Sequence, residues 1–367
     1  MGRRNSVGGV LASLRAGAAG VAWALAVAPL AAAPAPTDRA PAGVHYFRTP
    51  GANRQVVPVP NGAQLVCPQP GTPRGYPCVV QTNPVVYVDF WGLKSRGRDP
   101  AGVEAYVKTY VQNVADTTWL AILSQYGVTL PAQLCPQQMG LPVCFWDSTD
   151  AIKAKPTFAD IQAEAYAAAE HFEFPGCPTP SDPSGNCSNI NANVIVVTAK
   201  GVDPDNFETN GFCAYHYFKD SSPAGSPGTA GIAYTLMPYL PAFTRKIATN
   251  FLETQCGTNS VNPATPANGL LDGFGITLGH EIAEAITDPV ILQAPPPATG
   301  YLELGYAWAA ASVTNLTEIG DMCAWTGFQN IFEAGGVSFA AQLLYSNKAP
   351  APPGAPNPYL PGACVIE

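Results

Sequence analysis

The chain has 367 residues, of which 47% are hydrophobic and only 12% are charged. Disordered chains are poor in apolar residues and rich in charge, so this composition excludes a wholly disordered protein and leaves room for a sizeable core. The formal net charge of −8, together with the absence of any basic run, argues against nucleic acid and anionic membrane surfaces as partners.

The first 33 residues have the layout of a secretory signal peptide, with two early arginines, an apolar run from Ala16 to Ala33 and a small-residue end. The run contains glycines and a proline and is short for a membrane span, so we expect no stable membrane insertion after cleavage. An uncleaved anchor is one alternative, and a twin-arginine signal at Arg3-Arg4 is another. We predict a secreted, extracellular protein, with the periplasm or a cell wall as other locations.

The next part of the chain, from residue 34 onwards, predicts a loose segment followed by a strand and a helix. Residues 34–60 are rich in Pro and Ala and predict a loose lead-in. The β-branched and aromatic run "NPVVYVDFWG", which ends at Gly92, is typical of a buried strand. After Asp99-Pro100, apolar residues recur at intervals of three and four, which predicts a helix that begins there.

The second half of the chain continues the alternation of strand and helix. Thr157 is a good cap for the helical stretch "TFADIQAEAYAAAEHF". The runs "NANVIVVTA" and "GIAYTLMPYL" predict two more buried strands, and a last helix stops at Asp288-Pro289. This order predicts an α/β (mixed α+β) fold over residues 61–367, a single large domain in which helices flank a mixed sheet and disulfides staple the loops.

Ten cysteines, an even number in an exported chain, predict five disulfides. Three pairs are close in sequence and predict local loops: Cys67 with Cys78, Cys135 with Cys144, and Cys177 with Cys187. We expect Cys323 to pair with Cys364, because the proline-rich tail has nothing else to hold it, and Cys213 then pairs with Cys256. No C-x-x-C occurs, which disfavours a cysteine metal cluster.

The stretch "GHEIAEAITDP" predicts a zincin-like active-site helix. His280 and Glu284 are four residues apart, so on a helix both lie on one face and can bind one metal ion. An imidazole and a carboxylate both suit zinc. Glu281 stands where H-E-x-x-H metallopeptidases have their general base. Glutamate in place of the second histidine adds negative charge, which favours a harder ion such as calcium or manganese as an alternative.

A catalytic zinc takes three protein ligands and keeps an open position. In "NLTEIGDMC", Glu318 is the best candidate for the third ligand, and Asp321 is placed to accept the other imidazole N–H of His280. Asp288 and His216 are further candidates. The competing interpretation is that the helix is a solvated acidic one, that "EIGD" is a capped turn beside a disulfide, and that His216 is a partly buried histidine.

A series of short motifs runs through most of the chain. In order they are "DFWG", "NVIVVTA", "NGFC", "ETQC", "LLDGFGITL", "TDP", "GYAW", Cys323 and Cys364. With this series the chain resembles the EXORDIUM, or phosphate-induced protein 1, family. The resemblance implies a secreted protein that in plants is wall-associated and linked to growth responses, with no enzymatic activity firmly implied. Plant members generally lack the His and Glu of "HEIAE", and there this chain departs from them.

We therefore predict a secreted zincin-like metal-dependent hydrolase, with zinc as cofactor and a peptide or another extracellular polymer as substrate. His280, Glu284 and Glu318 bind the metal in this hypothesis, and Glu281 is the general base. The alternative is a non-catalytic extracellular binding or signalling protein, EXORDIUM-like, with a structural calcium or no metal. The hydrolase hypothesis requires the ligands to surround a common point in an open cleft.

Overall fold

The computed structural model describes one compact unit, which falls within residues 38–367. The described residues are 45–48, 65–66, 79–94, 98–178, 185–221, 230–242, 244–246, 252–262, 269–293, 303–305, 309–310, 318–350, 359–360 and 362–366. The predicted signal peptide, residues 1–33, lies outside them. No helix in this described part of the chain is long and apolar enough to cross a membrane.

Six strands form the main sheet. In chain order they are β1 (His45–Arg48), β2 (Val85–Trp91), β3 (Phe145–Trp146), β4 (Asn189–Thr198), β5 (Phe212–Asp220) and β6 (Gly231–Met237). Their spatial order is β1-β5-β6-β4-β2-β3. Strands β3, β2, β4 and β6 run parallel, whereas β5 is antiparallel to β6 and β1 is antiparallel to β5. The sheet is therefore mixed, as the sequence predicted.

The α-helices of the described residues flank this sheet. They are α1 (Val103–Asn113), α2 (Thr118–Ala121), α3 (Phe158–His171), α4 (Phe207–Asn210) and α5 (Asp272–Thr287). In β5, the rings of Tyr215 and Tyr217 lie 5.9 and 5.1 Å from that of Phe158 in α3. His216, between them, contacts Glu281 of α5. Because successive strand side chains point to opposite faces, α3 and α5 cover opposite faces of the sheet.

Capping side chains fix where two of the helices begin. Thr157 and Asp160 form a capping box, in which the Asp160 carboxylate accepts from the Thr157 backbone N–H at 2.9 Å. Asp99 accepts from the backbone N–H groups of Val103 and Glu104 at 2.8 and 2.9 Å. Asp99 thus binds two free N–H groups of α1, but the helix begins at Val103 with Gly102 as its N-cap residue, three residues later than predicted. Such caps contribute about 1 kcal/mol each.

The other described strands form two-stranded antiparallel ribbons. They pair Leu65–Val66 with Ala309–Ala310, Gln137–Gln138 with Leu141–Pro142, Thr244–Lys246 with Leu252–Thr254, Ile291–Gln293 with Glu303–Gly305, Gln329–Ala334 with Val337–Ala341, Leu344–Ser346 with Ala363–Val365, and Ala349–Pro350 with Tyr359–Leu360. The strand Val337–Ala341 packs on α5. Most of these strands have two or three residues and carry too little periodicity to be predicted. The longer hairpin Gln329–Ala334/Val337–Ala341 was missed although Gly335-Gly336 is a hairpin signal.

Four disulfides join the described cysteines and confirm the predicted pairs. They are Cys135–Cys144, Cys177–Cys187, Cys213–Cys256 and Cys323–Cys364. The last two connect residues 43 and 41 positions apart and hold distant segments together. The predicted pair Cys67 with Cys78 lies outside the described residues. Four disulfides fit an extracellular protein, because thiols stay reduced in the cytosol.

Candidate metal centre

Helix α5 carries the "HEIAE" stretch through the protein interior. All 16 of its residues are buried. Its glycines allow close packing, since a Cβ added to Gly279 would lie 2.8 Å from the ring of Trp119. A helix that is apolar around most of its circumference is typical of such a buried position. The interpretation of this stretch as a solvated acidic helix is therefore wrong.

His280 and Glu284 meet on one face of α5. Nε2 of His280 lies 2.9 Å from Oε2 of Glu284, as expected for residues four apart on a helix. The other carboxylate oxygen of Glu284, Oε1, accepts a hydrogen bond from the backbone N–H of Asp321 at 2.8 Å. Glu284 therefore joins the helix to the downstream acidic loop "EIGD", which we call the 318–321 loop.

Gly320 lets the 318–321 loop lie directly against the helix. A Cβ at this position would lie 2.6 Å from Nδ1 of His280 and 2.9 Å from Oε1 of Glu284. The Gly320 carbonyl accepts a hydrogen bond from Nε2 of Gln342 at 2.7 Å, which fastens the loop to the following ribbon. Neither residue was predicted from the sequence. A glycine between two acids was the only signal for the first, and none was present for Gln342.

Strand β5 brings His216 into the centre of the same cluster. Its Nδ1 lies 3.1 Å from Oε2 of Glu281 and 3.8 Å from Oε2 of Glu284. Its Nε2 lies 3.5 Å from Oε2 of Glu318. His216 is fully buried rather than partly buried, because β5 is an interior strand and position 216 faces α5.

Two groups of three side chains could each hold a metal ion within the described part of the chain. In each group, one ligand atom from every residue lies within 4.8 Å of the others. The first group is His216, Glu284 and Glu318, and the second is His280, Glu284 and Asp321. Of the predicted ligands, Glu318 thus falls in the first group, His280 in the second and Glu284 in both.

The two remaining candidates have different surroundings. Asp321, predicted as a hydrogen-bond partner of His280, shares a group with His280 and also supplies its backbone N–H to Glu284. Asp288 is buried at the C-terminal end of α5, where its backbone N–H donates to the Glu284 carbonyl at 2.6 Å. It belongs to neither group, so its position favours a role in ending the helix.

Burial and crowding alter the acidity of the carboxylic acids. Burial raises the pKa of Glu284 well above its ordinary value, and the negative charges of Glu318 and Asp321 raise it further. Burial also raises the pKa of Glu281, although its hydrogen bond with His216 acts in the opposite direction. The cluster therefore places several mutually repelling carboxylates in a region that water does not reach.

The two histidines differ in the direction of their pKa shifts. Burial lowers the pKa of His280 and outweighs the attraction of its acidic neighbours. Burial acts to lower the pKa of His216 as well, but the charges of Glu318 and Glu281 outweigh it and raise this pKa to about 10. His216 is therefore the more basic of the two.

The donor set fits a divalent cation. Imidazole nitrogens and carboxylate oxygens suit zinc, and a carboxylate-rich set also suits harder ions. Nε2 of His216 is buried without a hydrogen-bond partner, as expected for a nitrogen that is free to bind a cation. Gly320 lets its backbone approach His280 and Glu284 more closely than a residue with a Cβ could.

The cluster is closed rather than open to a cleft. The side chains that form it are at most 2% exposed, namely His216, His280, Glu281, Glu284 and Glu318. The 318–321 loop lies against α5 and contributes to this burial. The open cleft that the hydrolase hypothesis requires is not observed around these five side chains.

Comparisons with known proteins do not assign a family. No protein-family model matches the chain, and neither a curated protein nor a solved structure matches it significantly. Functional inference therefore rests on the geometry of the site.

Proposed function

We propose that the protein is a secreted metal-dependent hydrolase that acts on peptides. The position of Glu281 carries this proposal. Its carboxylate lies inside the cluster of ligand candidates, where Oε2 contacts Nδ1 of His216 and Oε1 has no hydrogen-bond partner. A buried carboxylate oxygen beside a metal site, with a raised pKa, has the properties of a general base.

Each residue has a role in this proposal. Zinc, when bound, supplies a Lewis acid and lowers the pKa of water. His280 and Glu284 would hold the cation from one face of α5, with Asp321 rather than Glu318 as the third protein ligand, because these three side chains form one group. Glu281 accepts a proton from water at Oε1 and passes it to the leaving amine. Asp321 orients the site through its backbone hydrogen bond to Glu284.

Access of a peptide requires a conformational change, because the histidines and glutamates of the cluster are at most 2% exposed and only Asp321 is half-buried. The 318–321 loop carries Glu318 and Asp321, so the site keeps its ligands only if a segment other than this loop moves. Active-site loops commonly move on substrate binding.

The same burial favours a second function, in which the cation is structural. A cation bound by α5, β5 and the 318–321 loop joins three separate segments, and structural sites are closed to solvent. In that case the protein is a non-catalytic extracellular binding or signalling protein, which agrees with a resemblance to the EXORDIUM family that firmly implies no enzymatic activity.

The test compares metal content and peptidase activity in the mature protein. Zinc content is measured after purification, and cleavage of a mixed peptide library is followed by mass spectrometry. Zinc binding with cleavage that Glu281→Gln abolishes supports the hydrolase. Zinc binding with no cleavage by the wild type favours the structural function. Absence of metal, even after dialysis against zinc, refutes both metal-dependent proposals. Asp288→Asn is the control, because this buried acid belongs to neither ligand group.

A further inference from the structure

We propose that the candidate site holds two divalent cations, with Glu284 as a ligand that both share. This inference rests on the proposed metal-binding function and extends it from one cation to two. It assigns His216 and Glu318 to one cation, and His280 and Asp321 to the other.

The grouping of the side chains is the first argument. A single zinc ion binds its ligands at about 2.0–2.2 Å, so any two of its ligand atoms lie within about 4.4 Å of each other. The five side chains form two groups within 4.8 Å rather than one. Each group has its own histidine and its own second acid, and Glu284 is the member common to both.

The position of Glu284 is the one expected for a side chain that binds both cations. Its Oε2 lies 2.9 Å from Nε2 of His280, and one of its carboxylate oxygens also lies within 4.8 Å of the ligand atoms of His216 and Glu318. Its Oε1 is held by the backbone N–H of Asp321, which fixes the orientation of the carboxylate. Protein sites with two catalytic metals commonly place the ions about 3.5–4 Å apart, a distance that one carboxylate spans.

Glu281 prepares His216 as a ligand. An ionised carboxylate only accepts hydrogen bonds, so the 3.1 Å contact of Glu281 Oε2 assigns the imidazole proton to Nδ1. Nε2 is then the nitrogen that a cation can bind, with loss of the second imidazole proton, and it lies 3.5 Å from Oε2 of Glu318. A carboxylate that orients a metal-binding histidine through its other nitrogen is a common arrangement around protein-bound metals. Glu281 is thus a positioning residue for the first cation.

Stoichiometry tests the proposal directly. The mature protein is stripped with a chelator and titrated with Zn²⁺, and bound zinc is counted by elemental analysis and calorimetry. We expect two equivalents in the wild type. His216→Ala and Asp321→Ala each leave one equivalent, because each removes a ligand of one cation only. Glu284→Ala lowers the affinity for both. Asp288→Asn retains two equivalents, since Asp288 lies in neither group.

A second measurement uses only the wild type, so it tests the proposal even if the variants do not fold. The stripped wild type is loaded with Mn²⁺ and examined by electron paramagnetic resonance, in which two neighbouring Mn²⁺ ions give a spin-coupled spectrum. The coupled spectrum supports the shared site. One equivalent of zinc with an uncoupled spectrum overturns the two-cation proposal and leaves the one-metal hydrolase in place. No bound metal of either kind overturns the proposed function itself.

Discussion

Oε2 of Glu281 lies 3.1 Å from Nδ1 of His216, across 65 positions of sequence. This contact links α5 to β5 and leaves Oε1 of Glu281 without a partner. The two oxygens of one carboxylate can therefore serve two purposes, since one orients a histidine and the other is available for proton transfer.

Glu281→Gln should separate chemistry from metal binding. The amide oxygen of glutamine can still accept a hydrogen bond from His216, so we expect the metal content to stay at the wild-type level. An amide cannot take a proton from water, so turnover should fall by about 10²-fold or more, as for loss of a general base. Metal analysis and peptide cleavage on the same sample provide the check. Equal turnover in both proteins contradicts the assigned role of Glu281.

Gly320→Ala should disturb the site through its added methyl group alone. The backbone at Gly320 has an ordinary negative φ of −77°, so any effect comes from the methyl group, which would lie 2.6 Å from Nδ1 of His280. We expect metal affinity to fall at least tenfold. The control is Gly140→Ala, a position with φ of +79° and open space around the added Cβ. It should cost about 1 kcal/mol of stability and leave metal binding unchanged. Calorimetry on both variants measures the difference.

The stability of the metal-free protein should fall as pH rises above 6.5. The folded state raises the pKa of His216 from 6.5 to about 10, so the protonated imidazole stabilises the fold fully below pH 6.5. This contribution is lost as pH rises from 6.5 towards 10, and each pKa unit corresponds to about 1.4 kcal/mol. Denaturant unfolding in the presence of a chelator measures it. His216→Gln should remove most of this slope, and an unchanged slope would rule out His216 as its source.

Binding of zinc should strengthen over the same pH range. Zn²⁺ competes with the proton for His216. Burial acts to lower the pKa of this histidine, but the charges of Glu318 and Glu281 outweigh it and raise the pKa to about 10. Between pH 6.5 and 8.5 the apparent affinity should therefore rise by about tenfold per pH unit if one proton is released. Calorimetry in buffers of different ionisation enthalpy counts the released protons. A pH-independent affinity would show that His216 does not bind the metal.

Loss of the Cys323–Cys364 bridge should weaken both fold and site. The bridge joins residues 41 positions apart, which in the chain-entropy model stabilises the fold by about 4 kcal/mol. Cys323 follows Asp321 closely, so a double Cys→Ser variant should also bind metal less tightly. The matched control removes Cys135–Cys144, a loop of 9 positions worth about 3 kcal/mol. If both variants lose metal equally, the effect is one of general stability.

The long, patterned elements were predictable from sequence. The runs that become β2, β4, β6, α1, α3 and α5 each carry a period or an apolar run long enough to identify. Strand β5 was missed, although "FCAYHYF" is rich in aromatic residues that favour strands. That omission hid the place of His216, because only a strand facing α5 brings it to Glu281 and Glu318.

The acidic residues of the site were also predictable, but their grouping was not. Spacing along one helix pairs His280 with Glu284, since i and i+4 share a face. No local sequence pattern predicts the distances from Glu318 and Asp321 to the two imidazoles. That distance is set by the 318–321 loop, which is positioned by Gln342 and Gly320 through contacts that span long stretches of sequence.

The bridge between Cys323 and Cys364 also sets an order of maturation. Thiols remain reduced in the cytosol and pair only after export to an oxidising compartment. Until then, the segment that carries Glu318 and Asp321 lacks its covalent anchor. In the proposed secreted metalloprotein, loading with metal would therefore follow translocation, and the ion would be drawn from the surroundings of the cell.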